Sequence, residues 1–184
     1  MGRSFVKRLR LFYFMRMTLD KGMKNGYNII EKICRGAIMP KIAVKKLDER
    51  AVLPTYGSEF SAGADLYAVC DGEVTFAPGE TKLIKTGLAM EIPEGYAGLI
   101  YARSGLASKR GLAPANKVGV VDADYRGEVM VALHNHSAIE QKISAGERIA
   151  QLVVAPFLKA SFEEAEELSD TVRGAGGFGS TGKN

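Results

Sequence analysis

The chain has 184 residues, 46% of them hydrophobic, with 25 Lys/Arg against 21 Asp/Glu and only two cysteines. That length suits one domain, with or without an extension, and no apolar run reaches the roughly 18 residues of a membrane-spanning helix. Cys34 and Cys70 are too few for a disulfide scaffold and read as reduced, inert thiols; neither stands at metal-ligand spacing from His134 or His136, so a structural zinc site has little support.

The net charge of +4 is unevenly spread. Residues 1–38 carry nine basic residues against two acids, whereas the rest of the chain has more acids than bases. The high isoelectric point therefore belongs to the leader and does not argue for a nucleic-acid-binding domain. The leader has three readings: a targeting segment of the mitochondrial type, a basic arm for membrane or nucleic acid, or an extension without function ahead of a working protein that begins near Met39. It lacks a cleavage site of the secretory kind, which argues against export.

From Pro40 onward, short apolar stretches alternate with Gly, Pro, Asp and Asn. Residues 42–47, 64–69, 73–76, 81–92, 97–102, 117–121, 128–135 and 148–156 read as strands, with period-two alternation clearest in 128–135. Turn signals separate them at Pro78-Gly79, at residues 93–95 and at residues 144–146. Only 104–109 reads as a helix, and the acidic run 163–168 reads as a helical turn or, better, a solvated connector. Many short strands at this spacing predict an all-β sandwich or barrel.

Five segments carry candidate chemistry: SAGADL (61–66), ARSGL (102–106), GVVDADYRG (119–127), GERIAQ (146–151) and RGAGGFGSTG (173–182). Arg103, Ser104 and Gly105 leave a strand and open the helix. Free N–H groups at a helix start, a hydroxyl and a guanidinium suit a phosphate; the plainer alternative is a helix cap with a surface Arg. Asp122 emerges from an apolar strand and is either a general base or a turn-forming acid, the latter role suiting Asp124. The glycine-rich tail builds no core and is expected to be disordered without ligand; its backbone suits phosphates and Phe178 suits a base. It ends G-x-x-x-x-G-K-N, but Asn184 replaces the metal-binding Ser/Thr and no helix can follow, so a P-loop is ruled out.

In order and spacing, these five segments resemble the five motifs of the trimeric dUTPase family over about residues 40–182. The resemblance implies a jelly-roll-like, distorted β-barrel at 39–170 with one short helix, a basic N-terminal extension at 1–38 outside the fold, and a flexible C-terminal lid arm at 171–184. It implies a homotrimer whose active sites sit at subunit interfaces. The activity implied is Mg²⁺-assisted hydrolysis of dUTP to dUMP and diphosphate, with Asp122 as general base for water attack on the α-phosphorus. Such an enzyme keeps uracil out of DNA and supplies dUMP for dTMP synthesis.

By the same resemblance, a hairpin spanning 116–125 holds uracil through Asn116 and the backbone near Val120 and Val121. Tyr125 packs under the deoxyribose, and Met130 completes the pocket. Arg103, Ser104, Gly105 and Gln151 bind the triphosphate. Asp65 either faces a hydrated magnesium ion through water or is a structural acid. From the tail, Arg173 approaches the γ-phosphate, Phe178 stacks on the base, and Gly179, Ser180 and Thr181 bind phosphate. Neither a stable nucleic-acid partner nor a membrane is expected, and the location implied is cytoplasmic, or mitochondrial if the leader is a targeting segment. Two rivals are a dCTP deaminase, or a bifunctional deaminase–hydrolase, of the same superfamily and a trimeric binding module without catalysis.

Overall fold

The computed structural model describes residues 40–177. The expectations placed on the leader and on Phe178, Gly179, Ser180 and Thr181 lie outside that range. Eleven strands and one helix follow in order: β1 (Ala43–Lys46), β2 (Thr55–Tyr56), β3 (Ala64–Tyr67), β4 (Glu73–Phe76), β5 (Thr81–Glu91), β6 (Tyr96–Tyr101), α1 (Ser104–Arg110), β7 (Leu112–Pro114), β8 (Gly119–Val121), β9 (Glu128–Asn135), β10 (Gln141–Ser144) and β11 (Arg148–Pro156). One sheet runs β1-β5-β9-β7, a second β2-β3-β11-β6-β8, and β10 pairs with β4. The architecture is the expected jelly-roll-like β fold.

All three sheets feed one core. Ile84, Leu88, Val131 and Leu133 come from the first, Leu66, Ile100, Val121 and Leu152 from the second, and Phe76 and Ile143 from the third. In β9, Val129, Val131, Leu133 and Asn135 face inward and the residues between them outward, the alternation its sequence requires. The one buried amide there is fully used. Asn135 Nδ2 donates to the carbonyls of Phe76, Ala77 and Ile139, and its Oδ1 accepts from the Ser137 N–H and Oγ, so it fastens β9 to β4 and to the β9–β10 loop.

β5 serves two neighbours by bending. Its first half pairs with β9 and its second with β1, and the β9 register shifts between Lys85 and Ala89. Gly87 sits at that shift with φ +66°, where an added Cβ would lie 2.8 Å from the Ala51 Cβ. Only glycine meets both demands. The Gly87 N–H donates to Glu128 Oε1 (2.8 Å), tying the bend to the start of β9. Beside it, Arg50 clasps Asp48 and Asp71 (2.7 and 2.6 Å). The side-chain and backbone hydrogen bonds from Arg50 hold the Asp48 carboxyl down to about 2.

Three short strands, β2, β7 and β10, go beyond the sequence expectations, and β8 is shorter than 117–121. Lys117 turns with φ +64° and so falls outside the strand. Residues 163–168 form no helical turn and lie exposed, in agreement with a solvated connector. No helix among the described residues is long and apolar enough to cross a membrane.

Candidate active site

Strand pairing builds a charged cluster at one end of the five-stranded sheet. β3 pairs with β11 so that Asp65 lies opposite Gln151, and β11 pairs with β6 so that Gln151 lies opposite Tyr101, two residues before Arg103. Three side chains converge on the Asp65 carboxylate. Arg103 Nε donates to Oδ1 (2.8 Å), Arg148 Nη1 to Oδ2 (3.1 Å) and Gln151 Nε2 to Oδ1 (3.3 Å). Arg103 Nη1 also donates to the Arg148 carbonyl (3.3 Å).

The Asp65 side chain is only 5% exposed, against 24% for Arg103 and 51% for Arg148. One buried negative charge thus orients two guanidiniums, and a net positive charge faces solvent. Among the described residues no hydrogen bond engages Arg103 Nη2 or Arg148 Nη2, which leaves those donors for an anion. Ser104 and Gly105 lie beside them, exposed, at the start of α1. Arg103 occupies the N-cap without a side-chain cap bond, since a guanidinium has no acceptor to offer the first N–H groups of the helix. The Asp65 carboxylate is thus largely enclosed and accepts three hydrogen bonds, two at Oδ1 and one at Oδ2.

Residues 116–125 do not fold into a hairpin paired on itself. β7 pairs with β9 in one sheet, while β8 crosses to pair with β6 in the other. The crossing leaves Asn116, Val120 and Asp122 exposed, with Val120 at 63%. Gly119 allows close approach: a Cβ there would lie 3.3 Å from both Asn116 Nδ2 and Ile100 Cβ. Asp122 leads into a turn in which the Tyr125 N–H donates to the Asp122 carbonyl (3.2 Å). Tyr125 Oη donates to the Glu128 carbonyl (3.0 Å), and its ring covers Gly127 so closely that a Cβ would lie 2.4 Å from Oη. Met130, half-buried, faces outward from β9 opposite Lys85.

Asp122 and the guanidinium cluster stand at opposite ends of β6. Val121 is opposite Gly98, whereas Arg103 follows Tyr101, so roughly 10 Å of strand lies between these two points. A further expected residue, Arg173, lies in the exposed arm, where its Nε donates to the Gly176 carbonyl (2.7 Å).

The dUTPase family model matches residues 49–182, spanning both groups of residues and the connection between them. The chain belongs to the dUTPase family. A deoxyuridine 5′-triphosphate nucleotidohydrolase of Nautilia profundicola is 53% identical over 143 residues, covering 78% of this chain and 99% of the relative. One of Syntrophotalea carbinolica is 49% identical, covering 77% and 96%. Among solved structures, the dUTPase of Staphylococcus bacteriophage 80alpha with dUpNHpp is 32% identical, covers 78% of this chain and 99% of its own, and has a TM-score of 0.71. A variant dUTPase of phage phi11 of S. aureus, whose structure concerns coordination of a structural Mg(II) ion, is 29% identical, with coverage of 70% and 98% and a TM-score of 0.63.

As a dUTPase, the chain is a dUTP diphosphatase, producing dUMP from dUTP. The curated relatives are nucleotidohydrolases, which goes against both the deaminase and the binding module without catalysis. Arg148 is the residue that sequence reading overlooked. It stands in the GERIAQ segment, but its partner Asp65 lies 83 positions away and meets it only through the β3–β11 pairing. No group of three or more His, Cys, Asp or Glu side chains that could hold a metal occurs among the described residues.

Proposed function

We propose that the enzyme hydrolyses dUTP by in-line attack of water on the α-phosphorus, within a homotrimer whose active sites combine residues of three subunits. The observation that carries this reading is the separation just described. One protomer exposes a phosphate-binding cluster and, at the far end of β6, an acid suited to be a base, and neither is complete alone. The outer face of the five-stranded sheet supports assembly: Leu99, Val120 and Val153 project from it as a partly exposed apolar strip between the two ends.

In this mechanism Asp122 accepts the proton of the attacking water as the new P–O bond forms, and diphosphate leaves as the bond from Pα to the bridging oxygen breaks. Arg103 and Arg148, held by Asp65, bind the triphosphate with Ser104, Gly105 and Gln151 and offset the charge that develops on it. Asn116 and the backbone about Val120 and Val121 read the uracil edge. Tyr125 supports the deoxyribose and excludes a 2′-hydroxyl, and Met130 closes the pocket. Magnesium, when bound with the triphosphate, supplies further charge neutralisation. The arm brings Arg173 to the γ-phosphate, Phe178 to the base, and Gly179, Ser180 and Thr181 to the phosphates, excluding water as it closes.

Residues 39–170 form the catalytic domain and 171–184 the lid, with 1–38 an extension. The 143 matched residues make up 99% of a curated relative, which supports that division, and bacterial relatives support a cytoplasmic location. The test is diphosphate release from dUTP, with dTTP and UTP as controls. Asp122→Asn is expected to bind dUpNHpp yet lose at least about 100-fold in kcat; normal turnover rejects the general-base assignment. A chain ending at residue 172 is expected to fold and assemble with greatly reduced turnover, and full activity rejects the lid.

A further inference from the structure

The turn that carries Asp122 and Tyr125 is closed by a side chain that the proposed mechanism leaves unused. Arg126 Nη1 donates to the carbonyls of Ala123 (2.6 Å) and Tyr125 (3.0 Å), and Nη2 lies 3.4 Å from Glu91 Oε1 at the end of β5. The turn needs such a clasp. It joins β8 in one sheet to β9 in the other, its residues are largely exposed, and one backbone bond, from the Tyr125 N–H to the Asp122 carbonyl, spans it internally. A planar guanidinium can hold two carbonyls of one turn at a fixed angle and still reach a carboxylate on a neighbouring strand. An exposed surface Arg with no such task would leave its donors in water.

We propose that Arg126 is a positioning residue for dUTP hydrolysis: by clasping the carbonyls on either side of Asp124, it sets the relative placement of Asp122 and Tyr125. The inference rests on the roles proposed for those two residues. If it holds, loosening the clasp affects two properties together, because one turn carries both groups. Proton acceptance by Asp122 governs kcat, and the fit of Tyr125 under the sugar governs preference for dUTP over UTP. Loss of general stability would lower the amount of active enzyme without altering that preference.

The experiment compares Arg126→Ala, Arg126→Lys, Glu91→Gln and Asp122→Asn in the full chain, using kcat, the dUTP-to-UTP ratio of kcat/KM, dUpNHpp affinity and thermal melting. Arg126→Ala is expected to lose about 10-fold in kcat and about 10-fold in the ratio, with dUpNHpp still bound. Arg126→Lys, which keeps the charge without the planar fork, is expected to resemble it and carries the test if the alanine variant does not fold. Glu91→Gln, with the carbonyl clasp intact, is expected to stay within about twofold of the parent. Parental kcat and ratio in both Arg126 variants overturn the proposal, as does a fall in activity matched by loss of folded protein at an unchanged ratio. Asp122→Asn keeps the two ideas separate: normal turnover there rejects the general base, while the Arg126 clasp is still decided by the dUTP-to-UTP ratio.

Discussion

Replacing Asp65 by Asn tests the charged cluster most directly, because shape is kept and one charge is lost. Asn can still accept from Arg103 Nε and Gln151 Nε2 through its oxygen, but its amide nitrogen then meets Arg148 Nη1 donor to donor. The Arg103 bond is the more valuable, since that pair is largely shielded from water. A charge-assisted bond of this kind contributes about 1.5–3 kcal/mol, and the neutral bond that Asn keeps about 0.5–1.5 kcal/mol. The Arg148 side chain is half exposed, so its pair contributes no more than about 1 kcal/mol. Together the expected cost is about 2 kcal/mol, which lowers Tm by roughly 4–8 °C for a chain of this size. Activity should fall further than stability alone implies. Arg103, no longer held by a charge, shifts relative to the triphosphate, and a misplacement on the order of 1 Å costs about 100-fold. Thermal melting and steady-state diphosphate release measure the two effects. Repeating the assay across magnesium concentrations separates the two roles open to Asp65: a positioning acid leaves the half-activating concentration unchanged, whereas a water-mediated ligand raises it. An Asp65→Asn enzyme with parental Tm and kcat/KM would refute the reasoning.

Gly127→Ala places a methyl on the Tyr125 ring, which must swing away and release the Glu128 carbonyl. Stability should fall by only about 1 kcal/mol, while kcat/KM falls about 10-fold or more and preference for dUTP over UTP weakens; an unchanged preference contradicts the placement of Tyr125 at the sugar. Asn135→Ala removes a donor from the Phe76, Ala77 and Ile139 carbonyls and the acceptor of the Ser137 N–H and Oγ, although Ala77 keeps the Glu80 N–H and Ile139 keeps the Ser137 Oγ. Urea unfolding should register a loss of at least about 3 kcal/mol, and a loss under about 1 kcal/mol would mean that the network carries little. The Asp48 carboxyl, held at about 2 against an ordinary 3.8, stabilises the native state above the higher value and ceases to do so as pH falls through the lower. The Tm gap between the parent and Asp48→Asn should therefore be open at neutral pH and close between about pH 4 and pH 2. A gap constant over that range contradicts the linkage.

The sequence alone determined the elements whose signal is local. Residues 73–76, 128–135 and 148–156 match their strands in full, because period-two alternation and bounding turn residues are properties of neighbours along the chain. The helix was legible for the same reason, ended by Gly111 with φ +67°. β2 and β7, with two and three residues, hold too few side chains to display a period, and β10 has a single apolar side chain, Ile143, among its four. The segments that identify the family were also legible, since they are contiguous.

Tertiary structure decided what those segments do to one another. Asp65 had two possible roles in the sequence. Pairing of β3, β11 and β6 brings Arg103, Arg148 and Gln151 onto it from 38, 83 and 86 positions away and buries it as the anchor of the guanidinium cluster. The hairpin expected at 116–125 became a crossing between sheets, because β8 finds its partner in β6 rather than in its sequence neighbours. That crossing sets Asp122 apart from Arg103 and leaves each half of the site at an opposite end of β6. Strand partners are chosen by burial over the whole chain, a non-local sum that no window of sequence contains.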